Sequence, residues 1–286
     1  MTLTYAQEER YTDIEGHRIC YVDEGEGPPL LLIHGLGGSV QNWQPTIDHF
    51  KNNYRVIALD LPGCGKSEIA ESDYCLDFFV RHILGLLAEL GIERASVAGH
   101  SLGGLISLHL VLNHPDMVEN LILVDNAGSH YLPGILKRAL RSLPPGLLKR
   151  FLLFFISHVA RIRVFRRAVG VQNVNKYTDA LVANAVALAN RKDIDKYLDA
   201  YIEMARSAIN VSYRERLGEI SKPTLIVWGQ NDLAISERVG QEENRKIKGS
   251  FLVSIPRADH VVQLDQPEMF NTAVARFLAG ASAVTG

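Results

Sequence analysis

The stretch Ala98-Gly99-His100-Ser101-Leu102-Gly103-Gly104 constrains this chain more tightly than any other. Ahead of it, Ala95-Ser96-Val97-Ala98 reads as a short buried strand; behind it, Leu105 to Leu112 continues with helical spacing. A serine between two glycines at a strand-to-helix junction is held in a strained backbone conformation with its hydroxyl exposed. Gly99 and Gly103 remove the side chains that would collide at so tight a turn. Such a turn needs a sheet beneath it and a helix behind it.

The rest of the chain supplies both. His17 to Val22 alternates like a strand, and Gly25 to Pro29 makes a turn. Leu30-Leu31-Leu32-Ile33 is a continuous apolar run, the pattern of a strand covered on both faces, and it ends in His34-Gly35-Leu36-Gly37-Gly38. Tyr54 to Leu59 is a second such run, ending in Asp60-Leu61-Pro62-Gly63-Cys64-Gly65-Lys66-Ser67. Helical spacing resumes from Tyr74 through Leu90, and Gly91 closes it. After His114-Pro115 stops the helix behind Ser101, which leaves its strand as a sharp elbow, Leu121 to Val124 gives another strand. From about His130 to Arg216 the pattern is helical throughout. Pro223 to Trp228 restores the sheet, Phe251 to Ile255 adds a strand, and Pro267 to Leu278 forms a closing helix.

Strands alternating with helices predict an α/β fold with a mostly parallel sheet and right-handed crossovers. The expected organisation is a core of residues 1–129 and 217–286, flanked by helices, with residues 130–216 inserted as an all-α segment before the strand that leads to Asp232. At 286 residues with 47% hydrophobic composition, the chain can bury a substantial core. Cys20, Cys64 and Cys75 are odd in number and scattered, without metal-ligand spacing, and are expected to be free thiols. The first ten residues lack a basic start followed by an apolar core, so the expected location is the cytoplasm. No apolar run approaches the ~20 residues of a membrane-spanning helix.

A serine hydroxyl needs a base to take its proton, and the base needs a carboxylate to fix its tautomer. Ser101, Asp232, His260 and the His34 loop all follow predicted strands, at whose carboxyl ends reactive groups gather in such sheets. Among ten histidines, His260 alone follows the last strand downstream of the acid. For the acid, Asp232 follows the strand after the insertion, while Asp125 follows the strand before it and could reach the same histidine. Asp259, beside His260, points elsewhere on an extended backbone. Cys64 has only Lys66 nearby to lower its pKa, so a reactive thiol is not expected.

With Ser101, Asp232 and His260 in that order, the chain resembles the α/β-hydrolase fold family, in its serine carboxylesterase and lipase-like branch. The likeness runs through Gly99-His100-Ser101-Leu102-Gly103, His34-Gly35, Asp60 to Ser67, the Asp232 turn and Asp259-His260. It implies a catalytic triad of Ser101, Asp232 and His260, with an oxyanion hole made by the backbone N–H groups of Leu36 and Leu102. It implies His34 as an organiser of its loop, and leaves His100 to packing. Gly37, Trp43, Phe151 and Phe154 are the substrate-pocket candidates; Trp43 either lines the acyl pocket or is buried beneath the insertion.

The implied activity is hydrolysis of small-molecule carboxylic esters of hydrophobic acyl groups through an acyl-enzyme, with no metal or cofactor and no nucleic acid partner. Carbon-carbon bond hydrolysis of ring-cleavage products and a non-catalytic ligand receptor are the alternatives on the same fold. Dehalogenases and epoxide hydrolases of this fold place aspartate at the nucleophile position, and Ser101 argues against both.

Net charge is only −2, yet residues 126–178 hold no acid and carry Lys137, Arg138, Arg141, Lys149, Arg150, Arg161, Arg163, Arg166, Arg167 and Lys176. Beside the apolar run Phe151 to Ile156, these cations have two readings. They lie on an anionic membrane surface, or they pair with the acidic excess elsewhere in the chain.

Overall fold

The computed structural model describes residues 6–129, 142–154 and 190–280. Among them, eight strands form one sheet: β1 (Arg10–Ile14), β2 (His17–Glu24), β3 (Pro29–Ile33), β4 (Arg55–Leu59), β5 (Ala95–His100), β6 (Val118–Val124), β7 (Thr224–Gly229) and β8 (Phe251–Ile255). Their order across the sheet is β1-β2-β4-β3-β5-β6-β7-β8. The β1-β2 hairpin and the β2-β4 pair are antiparallel, and every pair from β4 to β8 is parallel.

The apolar runs are continuous because both faces of the sheet are covered. Leu30 and Leu32 of β3 face one layer together with Val56, Ala58, Ile122 and Val227, packing on α1 (Gln44–Phe50) and α8 (Pro267–Leu278) through Ile47, Phe270 and Phe277. Leu31 and Ile33 face the other layer with Ile57, Val97 and Leu123, against α2 (Leu76–Glu89) and α3 (Leu102–Asn113). This two-residue alternation turns one apolar string into two cores.

Four elements lacked a signal in the sequence: β1, α1, α6 (Arg238–Lys246) and α7 (Val262–Asp265). The 130–216 interval was expected to be helical to its end. Its described part contains α4 (Pro145–Phe154) and α5 (Ile194–Ala208), which pack on each other, but Val211 to Tyr213 leave the helix. There Tyr213 N–H donates to Gly128 O (2.7 Å) and returns the chain to the core.

Helix α5 sits on the loops that follow β3 and β4. Tyr197 and Tyr201 approach Gly37, while Met204 approaches Gly63 and the Cys64 sulfur (3.7 Å). Gly37 has φ 67° and Gly63 φ 82°, and a Cβ at either would collide with these side chains. Ahead of α5, Arg191 donates to Gly65 O (2.8 Å).

Candidate active site

Ser101 joins β5 to α3 with φ 53° and ψ −112°, a left-handed conformation that costs a non-glycine residue about 1–3 kcal/mol. The surroundings hold it there. Its N–H donates to Val124 O (2.9 Å), and its carbonyl accepts from Leu105 N (3.1 Å) and Ala127 N (3.2 Å). A Cβ at Gly99 would overlap Gly103 O and Ser107 Oγ, and one at Gly103 would overlap Ile33 O, which is why both flanking positions are glycine.

Three loops from three strand ends then converge. His260 Nε2 lies 3.0 Å from Ser101 Oγ, and His260 Nδ1 lies 2.8 Å from Asp232 Oδ2. Because a carboxylate only accepts, Nδ1 carries the hydrogen and Nε2 accepts from the serine hydroxyl. The Asp232 side chain is fully buried and that of His260 is 15% exposed, so the acid is sealed below a histidine that solvent can reach. Asp232 Oδ1 is held by Ala234 N (2.7 Å) and Ile235 N (2.9 Å), which fixes the other oxygen toward His260.

The loop after β3 passes beside the serine: a Cβ at Gly35 would stand 3.1 Å from Ser101 Cβ. Among the described residues, neither Leu36 N–H nor Leu102 N–H donates to a partner. Leu102 opens α3, where the first amides have no intrahelical acceptor and the helix dipole favours negative charge. His34 organises the loop as expected. Its Nδ1–H donates to Gly35 O (2.7 Å) and its Nε2 accepts from Leu61 N–H (3.0 Å), while burial pulls its pKa down to about 4.

His100 does more than pack. Its Nε2–H donates to the carbonyl of His260 (2.6 Å), and the two rings lie 5.0 Å apart. Burial, then the neighbouring His260, lowers its pKa to about 3, so it stays neutral. Asp259 ties two turns together, its Oδ1 accepting from Leu233 N (3.1 Å) and His260 N (2.9 Å). Asp125 accepts from Gly229 N (2.8 Å) and Val262 N (3.3 Å) and does not hold the His260 imidazole, which Asp232 engages.

Among the pocket candidates, Trp43 needs correction. It is fully buried in the layer with Leu30, Val56 and Ile47, its ring 6.0 Å from that of Phe270, because the short helical turn Val40–Trp43 points it beneath the sheet. Gly37 lies under the Tyr201 ring beside Leu36. Phe151 and Phe154 belong to α4, but their side chains lie outside the described residues. Burial pushes the Cys64 thiol up to about 12, which makes it inert. Of the ten basic residues between 126 and 178, Lys149 pairs with Asp199 of α5 (2.6 Å) and Arg150 is exposed; the other eight lie outside the described residues.

Comparison with known proteins agrees with this fold. A family model for the alpha/beta hydrolase fold matches residues 28–267. The chain is 27% identical over 258 residues to (E)-2-((N-methylformamido)methylene)succinate hydrolase of Acinetobacter baylyi, covering 90% of this chain and 93% of the relative. It is 28% identical to human Epoxide hydrolase 4, covering 92% of this chain and 76% of the relative. The crystal structure of a meta-cleavage product hydrolase from Pseudomonas fluorescens superposes with a TM-score of 0.74 at 25% identity, over 95% of this chain and 98% of that one. The chain belongs to the alpha/beta hydrolase fold family.

Proposed function

We propose that the protein is a serine hydrolase that cleaves carboxylic esters of hydrophobic acyl groups. The observation that carries this reading is the continuous relay Ser101 Oγ to His260 Nε2 (3.0 Å) and His260 Nδ1 to Asp232 Oδ2 (2.8 Å). In this reading His260 takes the serine proton as Oγ attacks the ester carbonyl, and Asp232 stabilises the imidazolium. The Leu36 and Leu102 amides receive the oxyanion, worth about 2.7–4 kcal/mol for a single donor in such sites. The imidazolium returns its proton to the leaving alcohol, and a water activated by the same histidine releases the acid. Residues 130–216 act as a cap, with Tyr197, Tyr201 and Met204 closing over the Gly37 and Gly63 loops and favouring an apolar acyl group.

A second reading is carbon-carbon bond hydrolysis of ring-cleavage products, favoured by the likeness to a meta-cleavage product hydrolase. Epoxide opening is not carried over from the epoxide hydrolase relative, because serine rather than aspartate stands at the elbow. Turnover of p-nitrophenyl esters from acetate to laurate, beside a ring-cleavage dienol carboxylate, separates the readings. The ester reading predicts turnover that peaks at a medium or long acyl chain. Activity on the dienol carboxylate alone would reverse the order of the two.

A further inference from the structure

The turn that follows β6 takes no part in the chemistry proposed above, yet it touches the chain segments of all three members of the relay. Val124 O accepts from Ser101 N–H and Ala127 N–H donates to Ser101 O, so this turn grips the elbow from both sides. Between them, Asp125 sends its two carboxyl oxygens in different directions. Oδ1 accepts from Gly229 N–H (2.8 Å), at the start of the turn whose Gly229 carbonyl accepts from Asp232 N–H (3.2 Å). Oδ2 accepts from Val262 N–H (3.3 Å), two residues beyond His260.

Asp125 is itself fully buried and has φ 43°, a conformation that a non-glycine residue keeps only where its surroundings over-determine it. Among the described residues, the charged groups it feels most strongly are Asp232 and Asp265, both carboxylates. Burial first, and then the charge of Asp232, push its carboxyl well above the usual carboxylate range. A lone buried acid beside another acid is costly unless its oxygens are needed where they stand.

We propose that Asp125 is a positioning residue that clamps the Asp232 turn to the His260 segment through its two backbone acceptor bonds, and so sets the Asp232–His260 hydrogen bond. Its two carboxyl oxygens join the end of β7 to the start of the helical turn α7 (Val262–Asp265), beside the ties that Asn231 N–H makes to Ala258 O (2.9 Å) and Leu233 N–H makes to Asp259 Oδ1 (3.1 Å). Those ties keep the two turns together; Asp125 adds the constraint on the far side of His260, and without it the mutual alignment of acid and base loosens. The imidazolium then loses support, and Ser101 becomes a slower nucleophile.

The test compares wild type, Asp125→Ala and Asp125→Asn by two readouts. Proton NMR in water detects the downfield Nδ1–H of His260, assigned by its disappearance in His260→Ala. Labelling by a fluorophosphonate reports the reactivity of Ser101. The clamp predicts that Asp125→Ala loses or broadens the downfield signal and labels about 10- to 100-fold more slowly, the scale of a small misplacement in an active site, with unchanged circular dichroism. Asp125→Asn, which keeps one acceptor, falls between the two. Wild-type signal and labelling rate in Asp125→Ala overturn the proposal, as does a variant that loses thermal stability alone. If Asp125→Ala does not fold, the same readouts on Asp125→Asn decide. The proposal rests on the serine hydrolase reading, whose own failure is distinct: wild type that shows the His260 signal but never labels, in which case the signal alone decides the clamp.

Discussion

At the scale of single residues, the site depends on where side chains are missing as much as on where they are present. Gly103 lies against Ile33 O and His34 O, so Gly103→Ala forces the elbow away from β3. Overpacking of this kind costs typically 1–3 kcal/mol, and here the obstacle is backbone rather than a yielding side chain. Urea unfolding of Gly103→Ala is expected to show a loss at or above the upper end of that range. Ser101, Asp232 and His260 were legible in the sequence because each chemistry-bearing side chain follows a strand, in a fixed order along the chain. The linking role of His100 was not. Its partner is the backbone carbonyl of His260, 160 residues away, and a carbonyl carries no sequence signature. The same holds for Asp125, which acts on two backbone amides and was weighed only as a rival acid.

At the scale of elements, legibility followed apolar content. The strands β3 to β7 and helices α2, α3 and α8 announce themselves through buried side chains in regular spacing. Helix α6 does not, since Gly240 and Glu243 are its buried residues, and β1 presents an exposed polar edge. Trp43 was left open between pocket and burial because an indole beside a glycine loop suits either, and the turn Val40–Trp43 decides its direction. The junction of α5 with the core is where an element bears on the proposed function. Gly37→Ala would place a Cβ 2.7 Å from the Tyr201 ring at φ 67°, next to the Leu36 amide. Displacing that amide or α5 by a fraction of an ångström is expected to lower kcat/KM for esters about 10- to 100-fold with only a modest fall in Tm. Steady-state kinetics and a thermal melt on one preparation check both halves.

At the scale of the whole molecule, buried titratable groups set how stability responds to pH. Glu243 is fully buried under hydrogen bonds from Asn126 (2.6 Å) and Ser129 (2.5 Å), and burial pushes it up to about 8. Its unfolded value is about 4.3, so between the two values the native state binds more protons and this contribution to stability falls as pH rises. His34 and His100 act in the opposite sense: with native values of about 4 and about 3, the unfolded chain binds more protons below about 6.5, and stability falls as pH drops. Glu243→Gln should therefore flatten the loss of stability between pH 7 and 9; urea melts across that range measure it. No helix among the described residues is long and apolar enough to cross a membrane. The parallel sheet gathers the carboxyl ends of β3, β5, β6, β7 and β8 into one place, and that convergence turns three distant residues into a relay. The most direct test of that relay is the hydrolysis of the preferred p-nitrophenyl ester by wild type and by Ser101→Ala. The account predicts a fall in kcat of at least about 1,000-fold with folding intact, and an unchanged rate in Ser101→Ala would contradict it.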